Sequence, residues 1–157
     1  MGTGDGSGGF DADRFLTAQD EGGTFDRALD ELRAGRKRTH WMWFVFPQIA
    51  GLGTSATSRW FALGSRDDAV AYLRHPVLGT RLRAATDALL DLHDDAGTAG
   101  DILGTVDALK LRSSMTLFAC ADPDDPRFVD VLDRYYSGER DPRTERLIGP
   151  TGSGHVD

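Results

Sequence analysis

The chain has 157 residues, 39% hydrophobic and 27% charged, with a net charge of −7. One globular domain with a real core fits that length and balance, and the acidity argues against general nucleic-acid binding, which needs local positive charge. A single cysteine, Cys120, rules out an internal disulfide and suits a reducing cytoplasm.

Residues 1–10 (MGTGDGSGGF) are glycine-rich and acidic, without the charged start and apolar stretch of a signal peptide. They read as a disordered tail, as does 150–157, leaving 11–149 as one domain. Asp11 or Asp13 is expected to cap a first helix through Gln19, broken at Gly22-Gly23. Thr24 is expected to cap a second, in which Phe25, Ala28, Leu29 and Leu32 form one apolar stripe. Gly35 ends it.

Residues 40–55 read HWMWFVFPQIAGLGTS and follow the basic run Arg36-Lys37-Arg38. From His40 to Phe46 a buried strand and a buried helix both fit, and Pro47 ends either; the helical surroundings favour a helix. Trp41 and Trp43 beside positive charge suit a pocket that stacks a flat ring and holds an anion, or else a plain core segment. Gly51 and Gly53, with Gln48, Thr54 and Ser55 nearby, present backbone N–H groups and hydroxyls to an anion, or simply turn the chain between helices. The loop is neither a Walker A motif nor a dinucleotide fingerprint. The basic run holds a phosphate in one reading and caps a helix dipole in the other. His40 is a proton donor or a structural histidine; with His75 and His93 it matches no common metal spacing, so no metal or cofactor is expected.

Ser65 and Asp68 resemble a capping box opening a helix to Arg74. Beyond Pro76, Leu78, Leu82, Ala85, Leu89 and Leu92 make the clearest amphipathic helix. Thr98 and Asp101 cap a further turn. A long helix runs from about Thr105 to Cys120, and the cysteine reads as buried and inert. Asp125-Pro126 and Asp141-Pro142 each place a cap before proline at the first helical position, and the helices they open end at Gly138 and Gly149. No apolar run approaches the ~20 residues of a membrane span. The pattern predicts a single all-α domain of about seven or eight short helices.

Chemistry concentrates on the long helix. Leu111, Met115 and Phe118 form one stripe, with Ala108 beside it; Val106, Leu109 and Leu117 form another; Asp107, Lys110 and Ser114 lie in the seam between them. If both stripes are buried, Lys110 needs a partner, because an unpaired buried charge costs several kcal/mol. Asp107, three residues earlier, is in reach. The pair is either a satisfied internal ion pair or a Lys/Asp site with Ser113 or Ser114 facing a cavity. Lys110 and Lys37 are the only lysines beside 16 arginines, and an ammonium offers a compact charge whose pKa can shift.

The motifs GRKRTHWMWFVFPQIAGLG, AYLRHPVLGTRL and DALKLRSSMTLF together resemble a bacterial family of unknown function whose members often carry the label "calpastatin". The resemblance spans about Phe15 to Gly149 and implies an all-helical fold without an established activity; nothing in the residues supports protease inhibition. A more distant likeness of general pattern is to the NADAR family of helical N-glycoside hydrolases associated with NAD and ADP-ribose. It implies an N-glycosidase acting on a nucleotide or ADP-ribosyl compound. In that reading Asp107 positions water or stabilises charge on the sugar and Lys110 orients the phosphate or leaving group. Arg36, Lys37, His40, Trp41, Trp43, Gln48, Gly51, Gly53, Ser55, Ser113 and Ser114 are then expected to bind substrate. The alternatives are a nucleotide- or anion-binding module without turnover, and a protein-interaction domain.

Overall fold

The computed structural model describes residues 10–149, and within them the protein is all-α. The tails expected at 1–10 and 150–157 lie outside the described residues, except Phe10, which packs on the rings of Phe15 and Tyr72. The helices are α1 Asp13–Asp20, α2 Thr24–Arg33, α3 Met42–Val45, α4 Ala56–Phe61, α5 Arg66–Arg74, α6 Leu78–Asp91, α7 Ala99–Leu103, α8 Thr105–Ala121, α9 Pro126–Tyr136 and α10 Pro142–Ile148. Short 3-10 turns at Glu21–Gly23 and Asp94–Ala96 join α1 to α2 and α6 to α7.

Helix α8 is the hub. From Leu111 to Ala121 only Arg112 and Cys120 escape burial, because α5, α7, α9 and α10 all pack on it. A helix enclosed on every side needs no polar face, and Ser113, Ser114, Thr116 and Ala119 let neighbours come close. Helix α6 packs between α2, α5 and α9 and buries Leu78, Leu82, Ala85 and Leu89.

The caps follow local chemistry. Ser65, Thr98, Asp125 and Asp141 each accept a backbone N–H from the first turn of their helix, and Thr98 with Asp101 forms a full capping box. Two expected caps differ. Gly23, in the left-handed region at φ 69°, is the N-cap of α2, and Thr24 is the first helical residue, its hydroxyl donating to the Glu21 carbonyl. Helix α1 starts after Ala12, and Asp11 accepts from the Asp13 N–H ahead of it.

Two features position the aromatic segment. Gln19, almost fully buried, donates to the Phe44 carbonyl at 2.7 Å and to the Tyr72 hydroxyl at 3.1 Å, and accepts from Arg81 at 3.1 Å. The chain beyond Pro47 is tied by Ala50 N–H to the Leu63 carbonyl at 2.8 Å and Leu63 N–H to the Gln48 carbonyl at 2.9 Å. That short parallel bridge fixes the glycine loop beside α3.

Candidate functional site

Helix α3 is a single turn, so its tryptophans diverge. Trp41, just ahead of it, is 1% exposed and packs against Phe46. Its indole N–H donates to Glu31 at 2.9 Å. The same carboxylate accepts from Arg38 N–H at 2.7 Å, Thr39 N–H at 3.0 Å and the Thr39 hydroxyl at 2.7 Å. Burial pushes the Glu31 carboxyl up, but these hydrogen bonds outweigh it and bring the pKa down to about 2. Trp41 is therefore a structural anchor with no face for a ligand.

Trp43 turns the other way, half-buried, with the Lys110 ammonium 3.8 Å from its ring centroid. A cation over an indole face is an attractive arrangement, and it occupies that face. A flat ring can stack there only by displacing Lys110.

Lys110 also bonds Asp107 at 3.1 Å, and Lys37 reaches the other Asp107 oxygen at 2.9 Å. Lys37 is placed by its own N–H, which donates to the Ile102 carbonyl at 2.8 Å, and its ammonium lies 5.1 Å from the Trp41 ring. The i, i+3 pair foreseen on α8 is thus one half of a two-lysine bracket. Burial raises the Asp107 carboxyl, but the bonds from Lys37 and Lys110 more than offset this and hold it below the ordinary aspartate range. An ionised carboxylate with a lysine on each oxygen is poorly placed to take up or deliver a proton.

The two stripes of α8 part company at its first turns. Leu117 is fully buried, whereas Val106 and Leu109 are 66% and 62% exposed. The seam is consequently open near Lys110 and closed farther along. Ser114 is fully buried, its hydroxyl without a hydrogen-bond partner among the described residues.

The open end borders a cleft of about 290 Å³ between α3, the glycine loop, α8 and α10. Trp43, Leu52, Val106 and Leu109 supply its apolar wall, Gln48, Gly53 and Ser113 its neutral polar groups, and Lys110, Arg112, Arg143 and Asp141 its charges. Arg112 is fixed by bonds to the Glu139 carbonyl at 3.0 Å and the Arg140 carbonyl at 2.6 Å. Arg143 is exposed, and its guanidinium has no hydrogen bond or ion pair within the described residues. Ser113 donates to Asp141 at 3.0 Å, so its hydroxyl is engaged at the edge of the cleft. A smaller cavity of about 80 Å³ adjoins it, sharing Trp43, Gln48, Leu52 and Gly53 and adding Gly51, Ser58 and Arg59.

Of the residues singled out from the sequence, the cleft gathers Trp43, Gln48, Gly53, Lys110 and Ser113, with Gly51 next door. Arg36 and His40 are exposed and outside it. Lys37, Trp41 and Asp107 form the supporting layer described above. Ser55 is the N-cap of α4, accepting from Ser58 N–H at 3.1 Å. The loop glycines have steric reasons: a Cβ on Gly53 meets Ser58 Oγ at 2.8 Å, and Gly51 sits at φ 104° with Leu147 3.1 Å from where its Cβ would stand. The sequence reading missed Arg112, Arg143 and Asp141, which come from α8 and α10. The only signal for Asp141 was its Asp-Pro cap.

The family described as "Protein of unknown function (DUF1810)" matches residues 9–148, and the chain belongs to that family. Among solved structures, the conserved hypothetical protein Rv1873 from Mycobacterium tuberculosis is similar, at 44% identity and a TM-score of 0.85 over 90% of this chain and 99% of that one. No curated protein matches. Within the described residues no helix is long and apolar enough to cross a membrane.

Proposed function

We propose that this member of the DUF1810 family binds a small anionic molecule of nucleotide-like class in the cleft beside Trp43. The observation that carries this reading is a reversal of charge. In a chain of net charge −7, the cleft is lined by three cations, Lys110, Arg112 and Arg143, against one carboxylate, Asp141. A concave site with apolar walls and a few convergent polar groups is the usual form of a small-molecule site, and a bound anion would meet arginine and lysine donors there. Lys110 is held in place for that task by Asp107 on one side and the Trp43 ring on the other.

Binding without turnover is the better-supported form. Glycoside hydrolysis ordinarily uses carboxyl groups beside the sugar. Asp107 has both oxygens bracketed by lysines and does not line the cleft. Hydrolysis here would have to use Asp141, so a turnover assay on NAD and ADP-ribose belongs with any binding hit. A protein partner is the second reading, drawn from the exposed Val106 and Leu109 at the lip.

The test is a thermal-shift screen against phosphate, nucleotides, NAD and ADP-ribose, with Lys110→Met and Arg143→Ala alongside. A ligand at 100 times its dissociation constant stabilises by about 2.7 kcal/mol, several degrees for a domain of this size. Wild type should show such a shift, and both variants should lose it. No shift with any compound, or an equal shift in the variants, overturns anion binding in the cleft.

A further inference from the structure

Asp141 is out of place in a site built only for anions. Its Oδ2 is fully used: it accepts from Ser113 at 3.0 Å, from Thr144 N–H at 3.2 Å and from the Thr144 hydroxyl. Its Oδ1 has no hydrogen bond or ion pair within the described residues. Asp141 is half-buried and lines the cleft, and its Oδ1 is not among the fully buried atoms left without a partner, of which Ser114 Oγ is the only one within the described residues. Within the described residues the cleft therefore holds one carboxylate oxygen without a partner beside three cations.

That combination selects among ligands. A second anionic group would be repelled by Asp141. A ligand ammonium would be repelled by Lys110, Arg112 and Arg143. A neutral hydroxyl pays neither cost, and its bond to an ionised carboxylate is of the strong, charge-assisted kind. Resting on the anion-binding reading above, we infer that the cleft recognises a phosphorylated sugar, its phosphate facing the cations and its hydroxyl donating to Asp141 Oδ1.

Asp141→Asn separates this from a purely structural role. Asparagine caps a helix as well as aspartate does. Only its carbonyl oxygen can accept from Thr144 N–H, so its NH2 takes the position of Oδ1 and turns the free acceptor into a donor. Ribose 5-phosphate and inorganic phosphate are titrated calorimetrically into wild type and variant. Wild type should bind ribose 5-phosphate at least tenfold tighter than phosphate, the size expected for a hydrogen bond to a charged group. Asp141→Asn should lose that preference while binding phosphate equally or more tightly. Equal affinities in wild type, or an unchanged preference in the variant, overturns the sugar assignment and leaves the anion site standing. Failure of wild type to bind any phosphate compound removes the anion site itself. AMP against 2′,3′-dideoxy-AMP in wild type gives a second readout that does not depend on the variant: a preference for AMP supports the assignment, and equal binding overturns it.

Discussion

Glu31→Gln tests the foundation on which the site is built. The carboxylate is 8% exposed and gathers four donors, among them the Trp41 indole. Its pKa falls from 4.5 to about 2, worth about 3 kcal/mol at 1.36 kcal/mol per unit, which residual solvent screening reduces to about 2. A carboxylate whose folded pKa is depressed stabilises the fold above its unfolded pKa and loses that contribution as pH falls through its folded value. Glu31 therefore contributes fully above about pH 5 and loses its contribution between about pH 5 and pH 2. Urea unfolding of wild type and Glu31→Gln from pH 7 to pH 3 measures this directly. The variant should be less stable by about 2 kcal/mol at pH 7, and the gap should shrink by half or more at pH 3. A gap below about 0.5 kcal/mol at pH 7, or one that does not change with pH, refutes the account of how the aromatic segment is anchored.

Other substitutions probe the layers above that anchor. Lys110→Met should cost only about 1–2 kcal/mol in denaturant unfolding, because Asp107 keeps Lys37 and a partly exposed pair and a cation–π contact are each worth about 1 kcal/mol or less. A loss above ~3 kcal/mol would make Lys110 half of an indispensable buried pair. Ser114→Ala should leave stability unchanged or raise it by up to about 1 kcal/mol, since it removes a buried hydroxyl that has no partner among the described residues; a clear loss would mean the hydroxyl is bonded. Gly53→Ala should destabilise through collision with Ser58 Oγ and Cβ, and a double-mutant cycle should find the cost smaller in a Ser58→Gly background, which removes both atoms. Additive costs would place the strain elsewhere.

The fold was legible because punctuation and periodicity agreed. Asp125-Pro126, Asp141-Pro142 and Thr98 with Asp101 marked helix starts, and the leucine row of α6 marked a buried face. Caps chosen for their side chains alone were less dependable: at α2 the left-handed Gly23 took the position expected of Thr24. The site was half legible. Trp41 and Trp43 stand two residues apart on one helical turn, so they must face different ways, but nothing in their spacing says which faces the core. The partner that decides it, Glu31, lies on a different helix. Asp107 and Lys110 were readable as neighbours from their i, i+3 spacing, whereas Lys37 joins them only through the fold. Two apolar stripes on α8 left open whether both are buried. Val106 and Leu109 lie beyond the reach of the helices that cover Leu117, and that limit is a property of packing rather than of α8. Arg112, Arg143 and Asp141 look like ordinary solvated or capping residues until α10 folds back against α8.

The chain's three tryptophans report directly on ligand binding in the cleft, because they occupy distinct places. Trp41 is buried on Glu31, Trp43 lines the cleft, and Trp60 is 60% exposed beside a separate groove with Arg14 and Glu21. Their indole N–H signals in a two-dimensional nitrogen–proton spectrum, assigned with Trp43→Phe, can be followed while AMP is titrated in. The Trp43 signal should move in a saturable way while that of Trp60 stays still. Movement of Trp60 alone, or of no indole at all, would contradict ligand binding in the cleft.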